Sequence, residues 1–325
     1  MAPWRVVITD FTNSEHEIEA QVFARSGLDI DLVSPTESRK LGLRTATVDA
    51  DALLVQFATI DRALIESLTS CRVISRYGIG VDMIDLDAAS ACGIPVANVP
   101  DFCIDEVSTQ TIGFVIDLNR HTLELNAHVR SGRWGSPPPV AAPRRLRGQT
   151  LGIVGLGAIG RQVASKAGAL GLAVLAYDPY VKPETAANVS LVSLPELLER
   201  SDYVSLHCPL NESTRGLIGA AELARMKRTA YLLNLSRGPV VDQDALVRAL
   251  ASGEIEGAAL DVLVTEPPVP GDPILQLDNV IVTPHTASWS VESAQKLRHD
   301  AAQNVVVALT GEVPRSVVNR DQLRR

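Results

Sequence analysis

Short apolar runs alternate with stretches of helical spacing along almost the whole chain. In the first part of the chain, runs rich in Val, Ile and Leu occupy positions 5–8, 52–55 and 72–74. Strands that alternate with helices favour right-handed crossover connections, and therefore a parallel sheet with helices on both faces. The pattern predicts an α/β fold.

The alternation becomes stronger after residue 150. Six further strands are predicted there, at 151–155, 173–177, 203–206, 230–234, 258–262 and 280–283. Six strands in one unit are typical of the doubly wound parallel sheet that binds dinucleotides, the Rossmann arrangement. The pattern also predicts a continuous helix over 105–130, a proline-rich loop at 137–139 and an amphipathic helix over 291–309.

Composition excludes some classes of protein. The chain has 325 residues, 46% of them hydrophobic and 21% charged, which suits two globular domains. There are 30 Lys and Arg residues against 38 Asp and Glu residues, so the net charge is −8. This acidic balance disfavours a nucleic acid partner. The lack of an apolar run of about 18 residues disfavours a membrane-spanning helix.

The four cysteines, at positions 71, 92, 103 and 208, form no Cys-x-x-Cys pair and have no zinc-like spacing to a histidine pair. No metal site is therefore predicted. Free thiols favour a reducing compartment, and the first residues show no apolar stretch followed by a small-residue cleavage site. These observations predict a cytoplasmic protein.

The sharpest local signal is a glycine motif directly after an apolar strand. The motif spans residues 155–160 with the pattern Gly-x-Gly-x-x-Gly, and it consists of Gly155, a leucine, Gly157, Ala158, Ile159 and Gly160. Gly155 permits a tight turn, Gly157 lets the backbone approach a pyrophosphate, and Gly160 lets the following helix pack on the strand. Because the amides and the dipole of a helix N-terminus favour phosphate groups, the motif predicts a dinucleotide site.

An acidic residue at the end of the next strand completes this signal. Asp178 lies 18 residues after Gly160. A carboxylate in that position accepts hydrogen bonds from a ribose diol and repels a 2′-phosphate, so the sequence predicts NAD rather than NADP. The alternative is a glycine turn that only packs a helix, with a surface aspartate nearby.

Three reactive side chains follow the last three predicted strands, namely Arg237, Glu266 and His285. Ligands of doubly wound sheets bind beyond the carboxyl ends of the strands, so these side chains are expected to converge. Histidine is the usual proton donor near neutral pH. A glutamate beside it would favour the imidazolium, and an arginine would bind a carboxylate or polarise a carbonyl. The trio suits hydride transfer to a 2-oxo acid.

Each member of this trio also has an alternative role when it is considered singly. His285 would cap a helix, Glu266 would be a solvated loop acid, and Arg237 would pair with a surface carboxylate. The functional interpretation depends on their placement at three successive strand ends.

Together these motifs resemble the NAD-dependent D-isomer-specific 2-hydroxyacid dehydrogenases. The matching stretches span nearly the whole chain, at 76–82, 98–100, 151–160, 234–238, 259–267 and 283–285. The resemblance implies a Rossmann cofactor domain, 101–290, inserted in a smaller flavodoxin-like α/β substrate domain, 1–100 with 291–325. It also implies NAD as cofactor, a small anionic 2-oxo or 2-hydroxy acid as substrate, and a homodimer.

The resemblance further implies roles for single residues. His285 would be the proton donor or acceptor, with Glu266 and Arg237 completing the catalytic trio. Residues on the cofactor side would be Val107, His207, Pro209, Ser236 and Asp261. On the substrate side, the amides of Gly78 and Ile79 would bind the carboxylate, because glycines allow close approach and a nest of amides binds anions.

Within the family, the chain is most similar to the branch that contains the C-terminal-binding proteins, which are NAD(H)-dependent transcriptional corepressors. The signs are Arg76 beside the glycine loop, the Tyr177–Asp178 pair and Trp289 after the histidine. In that branch the arginine and the tryptophan contact substrate. Tyr77 stands where small or aliphatic residues are common, and it is a further candidate.

Gln56 and Phe57 end the predicted strand 52–55 and are pocket candidates, with ordinary strand-end packing as the alternative. Trp134 is predicted to anchor a subunit interface.

A corepressor-like protein that responds to NADH is the alternative to an enzyme. Formate oxidation is disfavoured, because that group pairs the histidine with a glutamine in place of Glu266.

Overall fold

The computed structural model describes residues 2–11, 16–135, 142–186 and 189–323. The chain divides into two compact units. The first comprises Met1–Cys103 with Ser290–Arg325, and the second comprises Ile104–Trp289. The proline-rich loop predicted at 137–139 lies outside the described residues.

Five parallel strands form the sheet of the first unit, in the order β2-β1-β3-β4-β5. They are β1 (Trp4–Ile8), β2 (Ile30–Val33), β3 (Ala52–Val55), β4 (Val73–Arg76) and β5 (Val96–Ala97). The helices between them are α1 (Glu17–Ser26), α2 (Pro35–Leu41), α3 (Leu43–Thr47), α4 (Arg62–Ile65) and α5 (Leu86–Ala91). This strand order is the flavodoxin-like one, as predicted. The short strands β2 and β5 were not predicted.

Seven parallel strands form the sheet of the second unit, in the order β12-β11-β10-β9-β6-β7-β8. They are β6 (Thr150–Val154), β7 (Ala173–Tyr177), β8 (Ser190–Leu191), β9 (Tyr203–Leu206), β10 (Tyr231–Asn234), β11 (Gly257–Leu260) and β12 (Val280–Val282). The helices are α6 (Ile104–Arg120), α7 (Thr122–Arg130), α8 (Ala158–Ala169), α9 (Leu194–Arg200), α10 (Ala220–Leu223) and α11 (Gln243–Ala251). The first six strands in chain order follow the Rossmann order, so the predicted doubly wound fold is confirmed.

The helix predicted over 105–130 is interrupted at His121. This residue has a positive φ of 52° and separates α6 from α7. Its amide still donates to the carbonyl of Asp117 at 2.7 Å, and its carbonyl accepts from the amide of Leu125 at 2.9 Å. The prediction of one continuous helix is therefore wrong, because a single left-handed residue turns the chain while the hydrophobic spacing continues.

The C-terminal part of the chain completes the first unit. Helix α12 (Val291–Leu309) packs on α1, β3 and β4, and the short helix α13 (Arg320–Leu323) packs on α5. Between these helices, Val317 pairs antiparallel with Ala97, and the Asn319 side chain accepts from the Val96 amide at 2.9 Å. The edge of β5 is therefore covered by the chain's own backbone.

Each sheet carries its own buried core. Leu53, Val55 and Ile74 in the first unit and Val204 and Leu232 in the second are 0% exposed. Near-continuous burial of this kind is expected for parallel strands covered on both faces. Among the described helices, none is long and apolar enough to cross a membrane.

Candidate functional site

The glycine motif of the second unit forms a tight turn between β6 and α8. Gly155 has a positive φ of 96°, and a Cβ at this position would lie 2.7 Å from the Cys208 nitrogen. A Cβ on Gly160 would lie 2.2 Å from the Gly155 carbonyl oxygen. Both positions therefore require glycine for the turn and for the close contact of helix and strand.

Gly157 differs from these two glycines, because a Cβ there would meet nothing within 4 Å. Gly157 and Ala158 are exposed, Ile159 is half-buried, and all three lie at the N-terminus of α8. Open space next to exposed amides at a helix N-terminus fits a pyrophosphate. The residues present thus suit a dinucleotide.

Asp178 connects the glycine turn to the neighbouring strand β7. One carboxylate oxygen accepts from the Leu156 amide at 2.8 Å, and the other accepts from the Tyr180 amide at 2.9 Å. A carboxylate oxygen has more than one lone-pair site, so both oxygens keep capacity for further donors such as a ribose diol.

The turn after β9 lies directly against the glycine motif. The His207 amide donates to the Val154 carbonyl at 2.7 Å, and its Nε2 is 2.8 Å from the Ser205 hydroxyl. Burial lowers the pKa of His207 to about 4, so the ring is neutral at pH 7. Pro209 is exposed in the same turn, whereas Val107 lies near the start of α6 and is buried.

His285 and Glu266 form a direct pair in the second unit. The Nδ1 atom of His285 lies 2.7 Å from a Glu266 carboxylate oxygen, and the other oxygen accepts from the Leu263 amide at 2.8 Å. The two side chains are 28% and 35% exposed. The pairing leaves the His285 Nε2 on the side of the ring away from Glu266, where it can exchange a proton.

The surroundings of Glu266 favour its ionised form. Burial raises its pKa, but the hydrogen bond and charge of His285, the Leu263 amide and the charge of Arg237 outweigh burial, and the net pKa is lowered. A carboxylate that stays charged at working pH stabilises an imidazolium beside it.

Arg237 is brought to this pair by a close contact of two loops. A Cβ on Gly238 would lie 2.0 Å from the Leu263 carbonyl oxygen, so only glycine lets the loop after β10 approach the loop after β11. The Arg237 guanidinium donates to the Ser236 carbonyl at 2.9 Å. Because β10, β11 and β12 are neighbours in the sheet, the three loops share one edge.

Asn234 organises the turn that carries Arg237. Its side-chain oxygen accepts from the amide and the hydroxyl of Ser236 at 3.1 and 2.9 Å. Its side-chain nitrogen donates to the Arg237 carbonyl at 2.9 Å. The sequence analysis used Asn234 only as part of a motif. The missed signal is an asparagine at a strand end, where its side chain commonly forms a turn.

Asp261 holds the turn that carries His285. Its carboxylate accepts from the Thr283 hydroxyl at 2.5 Å and from the amides of Thr286 and Ala287 at 3.0 and 2.9 Å. Its main-chain carbonyl accepts from the His285 amide at 2.8 Å. Burial raises the pKa of Asp261, although Thr283 and the two amides oppose this. Thr283 is the second supporting residue that the sequence analysis missed.

The loop after β4 belongs to the first unit. Gly78 has a φ of 146°, and a Cβ there would lie 1.0 Å from a terminal nitrogen of Arg76. The Arg76 guanidinium therefore folds back over Gly78, and it donates to the Tyr77 carbonyl at 2.6 Å. Arg76 is only 6% exposed. The Ile79 carbonyl accepts from the Asn98 side chain at 2.7 Å.

The Tyr77 side chain lies inside the first unit. The ring is 1% exposed, and its hydroxyl donates to Glu19 at 3.0 Å. Tyr77 follows the buried strand β4, and its side chain packs into the core of the first unit. A polar partner on α1 satisfies the buried hydroxyl.

The turn after β3 carries the remaining pocket candidates of the first unit. Asp10, at the end of β1, accepts from the amides of Gln56 and Phe57 at 3.0 and 2.5 Å. The Gln56 side-chain oxygen is buried and has no hydrogen-bond partner among the described residues. Phe57 is 52% exposed. In the second unit, Trp289 is 77% exposed, and its amide donates to the Thr286 carbonyl.

The described residues contain no cluster of three or more His, Cys, Asp or Glu side chains that could hold a metal ion. This edge of the sheet carries a histidine–glutamate pair, an arginine and a glycine turn that suits a dinucleotide.

Comparison with known proteins agrees with this chemistry. Residues 112–287 match the NAD-binding domain family of the D-isomer specific 2-hydroxyacid dehydrogenases. The chain is 39% identical over 282 residues to a glyoxylate reductase of Thermofilum pendens, covering 85% of this chain and 83% of that protein. It is 41% identical over 276 residues to a D-3-phosphoglycerate dehydrogenase of Methanocaldococcus jannaschii, covering 83% of this chain but only 52% of that protein.

Solved structures give the same result. A glyoxylate reductase from Paecilomyes thermophila superposes with a TM-score of 0.86 at 29% identity, covering 99% of this chain and 100% of that chain. A D-lactate dehydrogenase from Aquifex aeolicus, solved with NAD and lactic acid, gives a TM-score of 0.84 at 28% identity, covering 98% and 97%. The chain belongs to the D-isomer specific 2-hydroxyacid dehydrogenase family, and it is an NAD-dependent oxidoreductase that transfers hydride between NAD(H) and a 2-oxo acid or 2-hydroxy acid.

Proposed function

We propose that this enzyme reduces a small 2-oxo acid, with glyoxylate as the first candidate, and that His285, Glu266 and Arg237 carry the reaction. The observation that carries the proposal is the 2.7 Å contact between His285 Nδ1 and Glu266. It fixes the ring orientation and leaves Nε2 as the proton donor. Reduction of a carbonyl requires one hydride and one proton, and bound NADH supplies the hydride.

The three side chains have separate tasks. His285 gives the proton from Nε2 to the carbonyl oxygen as it becomes a hydroxyl, a step to which such a positioned acid typically contributes about 10²- to 10⁴-fold. Glu266 stabilises the charged ring before transfer. Arg237 holds the oxo acid through the planar donors of its guanidinium, which suit carboxylate and carbonyl oxygens. In the reverse direction His285 accepts the proton.

The remaining site residues have proposed roles according to their unit. The second unit binds NAD through the glycine motif and Asp178, with Ser236, His207, Pro209, Val107 and Asp261 along the same cofactor. The first unit binds the substrate carboxylate through the amides of Gly78 and Ile79. The charge of Arg76, folded against Gly78, supports anion binding at this loop. The partnerless oxygen of Gln56 supports a polar substrate contact.

Glyoxylate is favoured because the glyoxylate reductases of Thermofilum pendens and Korarchaeum cryptofilum are matched over 83% and 85% of their lengths. A 3-phosphooxy-2-oxo acid is the second candidate, favoured by the 41% identity to a phosphoglycerate dehydrogenase. However, the chain spans about half of that protein. Because Arg76 is already bonded to the Tyr77 carbonyl, it is poorly placed to reach a second anionic group.

The cellular location and the oligomeric state of the protein are also proposals. Four free thiols support a reducing, cytoplasmic location. A homodimer is supported by apolar side chains exposed near α7, where Leu123, Val129 and Trp134 are 49%, 47% and 87% exposed. The similarity to the C-terminal-binding-protein branch stays a prediction. The corepressor alternative is not supported, because the relatives described above are enzymes.

The test is a panel of 2-oxo acids assayed by loss of NADH absorbance, in parallel with NADPH. Glyoxylate, hydroxypyruvate, pyruvate and 3-phosphohydroxypyruvate are the first members. We expect glyoxylate to give the highest kcat/KM and NADH to be preferred. A His285→Ala variant should lose at least about 100-fold in kcat and still bind NADH. His299→Ala, which removes an exposed histidine of α12, is the matched control. No turnover with any member of the panel would contradict the proposal.

A further inference from the structure

A buried chain of polar side chains leads from α12 to the loop that begins at Tyr77. The Tyr77 hydroxyl donates to one carboxylate oxygen of Glu19 at 3.0 Å. The Arg298 guanidinium donates to both oxygens of the same carboxylate, at 2.9 and 2.6 Å. Glu19, Tyr77 and Arg298 are 0%, 1% and 9% exposed. All three belong to the first unit: Glu19 lies on α1, Tyr77 directly follows β4, and Arg298 lies on α12.

Aromatic packing also holds two of these groups, Tyr77 and Arg298. The Phe11 ring lies 4.7 Å from the Tyr77 ring, centroid to centroid, and the Arg298 guanidinium lies 5.5 Å from the Phe11 ring centroid. Burial, and then the charge of Glu19, raise the pKa of Tyr77 well above its usual range. The phenol is therefore a permanent hydrogen-bond donor to Glu19.

Stability alone does not explain this arrangement. A buried ion pair roughly balances its desolvation against its attraction, and apolar side chains of similar volume often serve the core equally well. A bidentate arginine and a phenol on one carboxylate do, however, fix geometry closely. The arrangement is explained if the position of Tyr77 matters for another part of the molecule.

That part is the loop after β4. The Gly78 carbonyl accepts from the Val99 amide at 3.0 Å, and the Ile79 carbonyl accepts from the Asn98 side chain. These bonds hold the far end of the loop. At its near end, the Tyr77 amide donates to Val55 and its carbonyl accepts from Arg76, while its side chain is held by Glu19. Tyr77 thus sets the position of both Arg76 and Gly78.

We infer that Tyr77, Glu19 and Arg298 are positioning residues for the carboxylate-binding loop of the first unit. This inference rests on the proposed function, because it assigns the loop to the substrate carboxylate. When the hydrogen bonds among Tyr77, Glu19 and Arg298 are weakened, the Gly78 and Ile79 amides shift by a fraction of an ångström. The substrate then binds more weakly, whereas the NAD-binding residues and the His285–Glu266 pair of the second unit keep their geometry.

The first test is Tyr77→Phe, which removes one oxygen atom and keeps the ring in the core. We expect KM for the preferred 2-oxo acid to rise by about five- to tenfold, part of the value of one hydrogen bond to a charged group. We expect kcat within twofold of the wild type and an unchanged Kd for NADH. Tyr203→Phe is the matched control, because it removes another buried phenol, bonded to Asn119 at 3.0 Å in the second unit. The control should leave KM unchanged.

The second test asks whether Arg298 on α12 also influences the loop after β4. Arg298→Lys keeps the charge but loses the bidentate contact with Glu19, and it should raise KM in the same direction. Since both substitutions act on one carboxylate, the double variant with Tyr77→Phe should raise KM by less than the product of the two single effects. Melting temperatures are measured for all variants.

The outcomes separate this inference from the proposed function. If Tyr77→Phe leaves KM within twofold, or lowers kcat at unchanged KM, the inference is overturned even if stability falls. If the wild type turns over no 2-oxo acid, the Kd of oxamate for the NADH complex, measured by quenching of bound NADH fluorescence, replaces KM. Binding of oxamate without turnover overturns only the proposed function. No binding of oxamate overturns both.

Discussion

His285 combines a reactive side chain with a backbone conformation that histidine rarely adopts. Its φ of 55° lies in the left-handed region, which costs a non-glycine residue of order 1 kcal/mol. The His285 amide and the two following amides all donate to Asp261, and these bonds hold this conformation. A strained residue held on both sides keeps its ring in place without help from the substrate.

The charge of Glu266 should support the rate of the reaction. Glu266→Gln keeps an acceptor for the His285 ring but removes the charge that favours the imidazolium. The rate of 2-oxo acid reduction at pH 7 should therefore fall by about tenfold, because the variant no longer stabilises the charged ring. The measurement is kcat/KM at pH 7, with Glu312→Gln, an exposed carboxylate after α12, as control. An unchanged rate would show that Glu266 only orients the ring.

His207 should make the stability of the folded chain depend on pH. Its pKa is about 4 when folded, against an ordinary value of 6.5. As the pH falls from 6.5 towards 4, the unfolded chain takes up a proton that the folded chain does not. The stabilisation present at pH 7 is therefore lost, by about 2 kcal/mol at pH 4.5 when allowance is made for partial exposure.

The measurement is urea unfolding of wild type and His207→Gln at pH 7 and pH 4.5. The variant should lose less stability between the two pH values than the wild type by about this amount. Equal losses in the two proteins would mean that His207 accepts its proton in the folded state at an ordinary pH.

At the scale of elements, the catalytic trio depends on how closely three loops approach. Gly238 touches the Leu263 carbonyl, and the amide of that same Leu263 donates to Glu266. The loop that carries Arg237 therefore packs against the loop that carries Glu266. Gly238 has no positive φ, so it is the lack of a side chain, and not backbone freedom, that this position requires.

Gly238→Ala should therefore separate Arg237 from the His285–Glu266 pair. A displacement of about 1 Å costs on the order of 100-fold in rate, so kcat/KM should fall by at least that factor. Gly168→Ala is the matched control, since a Cβ on that helical glycine meets nothing within 4 Å. The control should retain activity and gain up to about 1 kcal/mol of stability. Near-normal activity of Gly238→Ala would contradict the dependence on loop contact.

The elements also show what the sequence could and could not predict. The central strands were predicted within about one or two residues, because burial on both faces gives continuous apolar runs. Strands β2, β5 and β8 were missed, since they have only two to four residues and lie at the ends of the strand order, where the apolar pattern is too short to detect. The catalytic trio could be predicted because each member follows a predicted strand. The direction of the Tyr77 side chain was not, because it depends on Glu19 and on Arg298, 279 residues further along the chain.

At the scale of the whole molecule, the two units differ in how the chain builds them. The second unit is one continuous segment, Ile104–Trp289, with its own buried core. The first unit needs both ends of the chain. This difference was suggested by the resemblance to a known family, since the alternation of strands and helices continues without a break through both units.

The continuous unit should therefore fold by itself. A fragment of residues 104–289 is expected to unfold cooperatively and to bind NADH, detected by enhanced NADH fluorescence, but not to reduce 2-oxo acids. A fragment with Gly160→Val, whose side chain would collide with the Gly155 carbonyl, is the negative control for binding. A fragment that unfolds without a cooperative transition would show that this unit requires the other to fold.

The pairing of Val317 and Asn319 with β5 has a consequence for handling the protein. An uncovered edge strand exposes a row of amides and carbonyls that pairs readily with the same edge of another molecule. Here the Val318 amide donates to the Val96 carbonyl at 2.8 Å, and Asn319 binds the Val96 amide and the Ile94 carbonyl. Shortening the chain to a point before Pro314 would turn this protected edge into an aggregation site, so truncation should spare these residues.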